Sequence, residues 1–238
     1  MKPTEYILGL DVGASKIKAV LWHKNRTIKQ KQSTDISAKG IKNIIDYFQV
    51  PKVGIGIPGI IDRGKNIVIY CPSAPQLNGL DLNKLTSGKI RTDNDGNCLL
   101  RAESELGFAR GLKNVLGLAF GTGIGGSVMI AGKIYIGQNG SSAEFGHMIL
   151  SNGKSWEALY QKHKNDPKKQ ELINTQGIAN LINIFDPELI IIGGGAKIKP
   201  PKQKQMAIYI NSPLSKQTKI IRAKLGTKAQ AIGAALLY

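Results

Sequence analysis

Two glycine-containing segments have the composition of phosphate-binding turns. One reads Asp11-Val12-Gly13-Ala14-Ser15-Lys16 and the other Gly121-Thr122-Gly123-Ile124-Gly125-Gly126, and each follows an apolar stretch. Glycine lets the backbone turn back sharply, so N–H groups and the Ser15 hydroxyl can face phosphate oxygens. Asp11 suits a water-mediated contact with Mg²⁺, which keeps its waters and takes few carboxylates. An ordinary β-turn and a structural glycine hairpin are the alternatives.

The second glycine segment does not match two common nucleotide-binding motifs. Strand-type residues from Ser127 to Ile130 follow it, where a dinucleotide-binding fold would begin a helix. No Gly-Lys-Ser/Thr follows the glycines, as a Walker motif requires.

Polar residues end a third segment, Thr92-Asp93-Asn94-Asp95-Gly96-Asn97, just before a helical stretch. A carboxylate at the end of a strand can reach into a cleft and accept a hydroxyl proton during phosphoryl transfer. Asp or Asn at this place can instead cap the helix. Both interpretations remain open from the residues alone.

Two further segments are suited to polar substrates. Glu144, His147 and Glu157 offer carboxylates and an imidazole to the vicinal hydroxyls of a sugar, although a lone histidine is more often structural. Neither cysteine is near them, so no metal site is expected there. The apolar run from Pro187 ends in three glycines, Gly193 to Gly195, which would let a nucleoside lie against the backbone.

The charge of the chain is strongly basic, with 33 Lys and Arg against 16 Asp and Glu and a formal net charge of +17. Such a charge favours anionic partners, nucleic acid among them. However, the lysines are scattered and lack the interleaved aromatic residues that stack bases. A nucleic-acid partner is therefore not expected, and a lysine-rich surface that also attracts anionic ATP is the preferred interpretation.

No signal-peptide pattern, membrane-length apolar run or disulfide framework is present, so a cytoplasmic protein without a membrane partner is expected. Apolar strands alternate with helices, which predicts the α/β class. Predicted strands are 6–10, 17–22, 53–57, 115–120, 127–136 and 189–192, and predicted helices are 41–48, 97–109, 178–185 and 229–238.

One internal repeat organises these elements. The segment from Ile7 to Gly13 aligns with Val115 to Gly121, and the same register matches Val20 with Val128. Two related halves predict two similar lobes with a cleft between them. The expected lobes are residues 1–112 and 113–238, with the last helix packing back on the first lobe.

The chain resembles the ROK family of bacterial sugar kinases and related repressors. The matching segments run in order over nearly the whole chain: LGLDVGASK, VGIGIPGIID, RTDNDGNC, GLAFGTGIGG, AEFGHM, WEALY, DPELIIIGGGAK and AIGAALL. This resemblance implies two actin-like (ribonuclease H-like) α/β lobes around a central cleft that holds a sugar and ATP–Mg²⁺.

The resemblance also assigns roles. It implies that Asp95 is the catalytic base and that Asp11 contacts Mg²⁺. Residues implied to bind the sugar are Asn78 (or Gln76), Asn94, Glu144, His147 and Glu157. Residues implied to bind ATP are Asp11, Gly13, Ser15, Lys16, Gly121, Thr122, Gly123, Gly193 and Gly194.

Three segments depart from the family pattern. A CxCGxxGC zinc motif usually stands between the family's His and last Glu, but only Met148 to Trp156 fills this gap, so no zinc is expected. The NLPGW-like segment reads Gln76-Leu77-Asn78-Gly79-Leu80, and the stretch from Glu157 to Asp186 is short.

The resemblance implies transfer of the ATP γ-phosphate to the 6-hydroxyl of a hexose or N-acetylhexosamine, of the glucose or N-acetylglucosamine type. A catalytically weak sugar-binding or regulatory protein is the alternative. The family's repressors carry an N-terminal helix-turn-helix, which is not expected in this sequence before Tyr6, and this favours the enzyme. A homodimer is left open.

Overall fold

The computed structural model describes residues 5–196 and 198–238. Its strands are β1 (Ile7–Val12), β2 (Ile17–His23), β3 (Arg26–Ser33), β4 (Lys52–Ile57), β5 (Ile60–Asp62), β6 (Ile67–Tyr70), β7 (Lys89–Asn94), β8 (Val115–Phe120), β9 (Ile124–Ile130), β10 (Lys133–Ile134), β11 (Ile149–Ser151), β12 (Lys154–Ser155), β13 (Leu189–Gly193) and β14 (Lys219–Arg222). Its helices are α1 (Ala38–Phe48), α2 (Asp95–Leu106), α3 (Trp156–Lys162), α4 (Pro167–Phe185), α5 (Gln203–Met206) and α6 (Ala229–Ala235).

Two five-stranded sheets share one topology. The strand order is β3-β2-β1-β4-β7 in the first sheet and β10-β9-β8-β13-β14 in the second. In both sheets the first three strands are antiparallel and the last two run parallel to the central one. The α/β class and the two related halves predicted from the sequence are therefore confirmed.

The predicted register between the halves holds up to the glycine turns, since β1 ends at Val12 and β8 at Phe120, but it is wrong by one residue after them. Val12 pairs with Ile17 across the first hairpin, which leaves a four-residue turn at 13–16. Phe120 pairs with Ile124 across the second hairpin, which leaves only three residues, 121–123. Position 20 therefore corresponds to Ser127 and not to Val128.

Each sheet is covered by its own apolar core. Strands β1 and β4 contribute side chains that are almost wholly buried, and helix α1 packs its Ile41, Ile44 and Ile45 face against them. Helix α4 covers β8 and β13 together with Trp156 in a second cluster. Burial of a large aliphatic side chain contributes about 1.5–3 kcal/mol, so these clusters dominate the stability of both lobes.

Helices α2 and α6 lie between the two sheets and fix their relative position. Helix α6 contacts β1 and β4 so closely that a Cβ atom at Gly9 would lie 2.0 Å from the Ala231 carbonyl oxygen. A Cβ atom at Gly54 would likewise lie 1.8 Å from the Ala234 carbonyl oxygen. Only glycine permits this approach. The last helix thus packs on the first sheet.

Several element boundaries differ from the predicted ones. Helix α4 begins at Pro167, eleven residues before the predicted start, because Asp166 caps it and proline suits the first helical position. Helix α2 spans 95–106 and not 97–109, and α6 ends at Ala235. Strand β3 was not predicted, since its sequence RTIKQKQS is polar at a solvent-exposed sheet edge. Among the described helices, none combines the length and the hydropathy needed to cross a membrane.

Candidate active site

A cleft of about 840 Å³ is lined by residues from both sheets. Most of the residues predicted for the site line it: Asp11, Gly13, Ser15, Lys16, Asn94, Asp95, Gly121, Thr122, Gly123, Glu144, His147, Glu157 and Gly194. Asn78 and Gly193 do not line it.

The two glycine turns open onto this one cleft. The N–H of Gly13 donates to the Lys16 carbonyl at 3.0 Å, and that of Gly121 donates to the Gly123 carbonyl at 3.0 Å. Each turn thus connects its antiparallel strands tightly. The structure brings together two backbone turns of the type that holds phosphate groups.

Asp95 is the first residue of α2, at the carboxyl end of β7. The cap of this helix is Asn94, whose side-chain oxygen accepts the Gly96 N–H at 2.8 Å. The Asp95 carboxylate accepts the same N–H at 2.9 Å, while its residue lines the cleft. Because Asn94 already caps the helix, Asp95 is available for another role.

Burial above all, together with the negative charges of Asp11 and Glu144 and opposed by the N–H of Gly96, raises the pKa of the Asp95 carboxyl to about 7. Burial also raises the pKa of Asp11, opposed by Lys18. Burial likewise raises that of Glu144, opposed by His147. A carboxylate with a pKa near neutrality is suited to accept and release a proton.

This raised pKa makes stability depend on pH. In the unfolded chain Asp95 titrates near 3.8, and in the fold at about 7, so between these values only the folded protein keeps the proton. Stability therefore falls as pH rises through this window. We expect Asp95→Asn to be more stable than wild type by about 4 kcal/mol at pH 8 and equally stable below pH ~4. Urea titrations across pH measure the difference, and a constant difference would contradict the interpretation.

Asp93, two residues before Asp95, is buried at the centre of an ionic network that the sequence did not reveal. Both Arg63 and Arg101 donate to the Asp93 carboxylate, at 2.8 Å and 2.9 Å, and Asn97 donates to it at 2.9 Å. Arg63 also donates to the Gly140 carbonyl of the second half at 3.3 Å. The network holds the start of α2 in place and ties it to the opposite side of the cleft.

Two of the predicted sugar ligands also shape the backbone. The Glu157 carboxylate accepts the Ile124 N–H at 2.6 Å and so supports the second glycine turn. The Asn94 side-chain amide donates to the Gly59 carbonyl at 3.2 Å. Both polar atoms of the Asn94 side chain are engaged in the protein, because its oxygen also accepts the Gly96 N–H at 2.8 Å, whereas Glu157 uses only Oε2 for the bond from Ile124.

Asn78 and Gly193, which the resemblance assigns to sugar and ATP binding, make structural contacts in the described fold. The Asn78 side-chain oxygen accepts the Cys71 N–H at 2.7 Å and thereby stabilises the loop that carries Pro72 and Ser73 to the cleft. Gly193 is buried against Leu99, because a Cβ atom there would lie 2.8 Å from that side chain. Neither residue lines the cleft, and their roles in ligand binding stay predictions.

Other residues that line the cleft were not predicted. Lys18 stands directly opposite Asp11 in the β1–β2 hairpin, so the hairpin pattern alone could have identified it. Others come from the end of β6, from loops and from α6, whose positions depend on tertiary packing: Tyr70, Pro72, Ser73, Ser141, Ser142 and Gln230.

The cleft offers ligands of the kind that Mg²⁺ uses. Mg²⁺ takes one or two carboxylates together with phosphate oxygens and waters. Asp11 and Asp95 supply carboxylates beside the two turns. Among residues 5–196 and 198–238 no group of three or more His, Cys, Asp or Glu side chains is arranged to hold a metal. The donor set therefore fits a metal that arrives with phosphates.

Known proteins resemble this chain over nearly its whole length. The chain is 25% identical to the glucokinase of Thermotoga maritima over 307 residues, covering 98% of this chain and 97% of that protein. It is 28% identical to the N-acetyl-D-glucosamine kinase of Pectobacterium carotovorum subsp. carotovorum, covering 79% of this chain and 80% of that protein. Because the first alignment spans 307 positions and this chain has 238 residues, at least 69 of those positions have no residue here.

Solved structures agree with this. A ROK family glucokinase from Streptomyces griseus, in complex with glucose and AMPPNP, superposes with a TM-score of 0.80 at 22% identity, covering 98% of both chains. A ROK family transcriptional regulator, a homologue of the E. coli MLC protein, superposes with a TM-score of 0.79 at 17% identity. The superposition covers 98% of this chain and 77% of the regulator.

These likenesses confirm the predicted fold of two actin-like lobes around a central cleft. The ROK family model matches residues 7–168 and 157–238, which together include almost the whole chain. The chain belongs to the ROK family.

Proposed function

We propose that this protein is an ATP-dependent sugar kinase that transfers the γ-phosphate to the 6-hydroxyl of a hexose or N-acetylhexosamine. One observation carries the proposal: a carboxylate with a pKa of about 7, Asp95, lies in the same cleft as two glycine turns. The relatives named as glucokinase and N-acetyl-D-glucosamine kinase support the enzyme class and the type of sugar.

In the proposed reaction the sugar hydroxyl oxygen forms a bond to the γ-phosphorus while the bond from that phosphorus to the β–γ bridging oxygen breaks. The hydroxyl proton moves to Asp95, and ADP is the leaving group. Phosphoryl transfer depends mainly on positioning and charge stabilisation, so a cleft that aligns both substrates supplies most of the rate. Asn94, Glu144, His147 and Glu157 would hold the sugar hydroxyls on the Asp95 side.

On the donor side, the N–H groups of the two turns would bind phosphate oxygens, assisted by Ser15, Lys16 and Thr122. Gly194, whose φ of +92° suits glycine, would border the adenosine. Mg²⁺, when bound, would neutralise charge on the β- and γ-phosphates, with Asp11 holding it through water. The division into lobes 1–112 and 113–238, the homodimer and the cytoplasmic location remain predictions.

The proposal is tested by coupled measurement of ADP release over a panel of hexoses and N-acetylhexosamines. At least one sugar should support turnover on the order of 1–100 s⁻¹. Its 6-deoxy analogue is the matched control and should support none, because it lacks the attacking oxygen. If the 6-deoxy sugar is phosphorylated equally well, the proposed position of transfer is wrong.

A catalytically weak sugar-binding regulator is the second candidate. It is favoured by the family's regulator with the same fold, and by the positions of the relatives that have no counterpart here. In that case sugars would raise the melting temperature while none would stimulate ADP release.

A further inference from the structure

Lys18 forms an ion pair inside the cleft that the proposed mechanism does not use. Its Nζ donates to Oδ2 of Asp11 at 2.9 Å. The two residues are direct cross-strand partners in the β1–β2 hairpin, so the strand register itself brings them together. Lys18 also lines the cleft beside Lys16.

The pair is well shielded from water. The Asp11 side chain is 5% exposed and that of Lys18 is 21% exposed. Asp95, a second carboxylate, is close enough for the charge of Asp11 to raise its pKa. Two carboxylates facing one partly dehydrated cleft would attract a divalent cation, and the ammonium of Lys18 neutralises one of them.

We propose that Lys18 blocks divalent-cation binding at Asp11 in the nucleotide-free protein, and that it releases Asp11 when the phosphates of ATP enter. The metal then binds only together with nucleotide. This inference rests on the proposed function for the identity of the incoming phosphates. Lys18 is a positioning residue in this scheme.

Two features of lysine make the exchange feasible. Its ammonium is a compact charge on a flexible four-carbon stem, so it can leave Asp11 for a phosphate oxygen without movement of the backbone. The incoming phosphates replace the carboxylate as its partner, and Mg²⁺ in turn replaces the ammonium as the partner of Asp11. Charge is therefore balanced before and after the exchange.

The test uses Mn²⁺, whose binding to the nucleotide-free protein is titrated by electron paramagnetic resonance. Wild type should bind Mn²⁺ weakly in the cleft, and Lys18→Met should bind it at least about tenfold more tightly, because a unit positive charge near the carboxylate is removed. Lys18→Arg keeps the charge and should behave as wild type. Adding Asp11→Asn to Lys18→Met should abolish the gain.

The matched control is Lys42→Met, which breaks an exposed Lys–Asp pair with Asp46 through the same substitution and should leave Mn²⁺ binding unchanged. Thermal melting confirms that each variant is folded. Equal Mn²⁺ affinity for folded wild type and Lys18→Met would overturn the proposal. The two proposals fail in different experiments. If only the kinase proposal is wrong, no sugar is phosphorylated, but Lys18→Met still binds Mn²⁺ more tightly than wild type.

Discussion

Asp95→Asn is expected to lower the turnover of sugar phosphorylation by about 10²- to 10⁴-fold, the usual contribution of a general base. The amide keeps the size of the side chain and still hydrogen-bonds a hydroxyl, so the affinity for sugar should change far less than turnover. Steady-state kinetics with the preferred sugar and ATP measure both quantities.

The pH profile adds a second signature. Because Asp95 must be ionised to accept a proton and its pKa in the free protein is about 7, wild-type kcat/KM should fall about tenfold per pH unit below that value. The residual activity of Asp95→Asn should lack this decline.

The control for a purely structural effect is Asp166→Asn. Asp166 is the N-cap of α4, where its side chain accepts the Lys169 N–H at 3.1 Å, but it does not line the cleft. Asn caps helices about as well as Asp, so this variant should keep full turnover. Near-normal turnover in Asp95→Asn would show that Asp95 is not the base.

The fold could be predicted largely from apolar strands and glycine breaks. The segments at β1, β4, β8 and β13 are almost continuously apolar because both faces of each central strand are buried. The polar edge strand β3 has no such signal, since its residues largely face solvent. The one-residue difference between the two hairpin turns was also beyond prediction, because turn length is set by local backbone geometry.

Site residues could be predicted from the sequence where a reactive or glycine-rich segment directly follows an apolar strand. Asp95 and the two glycine turns stand at strand ends, and parallel strands bring such ends to one edge of a sheet. The structural role of Asn78 was not foreseen, because its hydrogen bond to Cys71 depends on a loop conformation that residue types do not determine. The Asp93–Arg63 pair was missed because it joins residues 30 positions apart through tertiary packing.

These observations also bear on the length of the chain. At least 69 positions of the Thermotoga maritima relative have no residue here, and the described parts of this chain form two five-stranded sheets with a cleft lined from both. The packing of α2 against α6 joins the two sheets, because both helices also contact strands.

Gly233→Ala is expected to destabilise the protein by about 3–5 kcal/mol, which corresponds to a fall in melting temperature on the order of 10 °C. A Cβ atom at Gly233 would lie 1.7 Å from the Cys98 carbonyl oxygen and 2.5 Å from its carbonyl carbon. Both atoms belong to the backbone of α2, so no side-chain rotation can relieve the overlap.

Helix propensity favours alanine over glycine at this position, but its contribution to stability is smaller than the cost of the overlap. Alanine in a helix is favoured over glycine by about 1 kcal/mol, whereas overlap with backbone forces the two helices apart. Gly195→Ala is the control, because a Cβ atom there meets nothing within 4 Å, and it should melt close to wild type. Circular dichroism melting curves measure both variants.

Gly233→Ala should also affect the residues that line the cleft. Helix α2 begins with Asp95 and α6 carries Gln230 into the cleft, so separating the helices displaces residues from both. Folded Gly233→Ala should therefore lose turnover as well as stability, whereas Gly195→Ala should lose no stability. If Gly233→Ala melts within a degree of wild type, α2 and α6 do not approach as closely as described, and their role in joining the two sheets must be rejected.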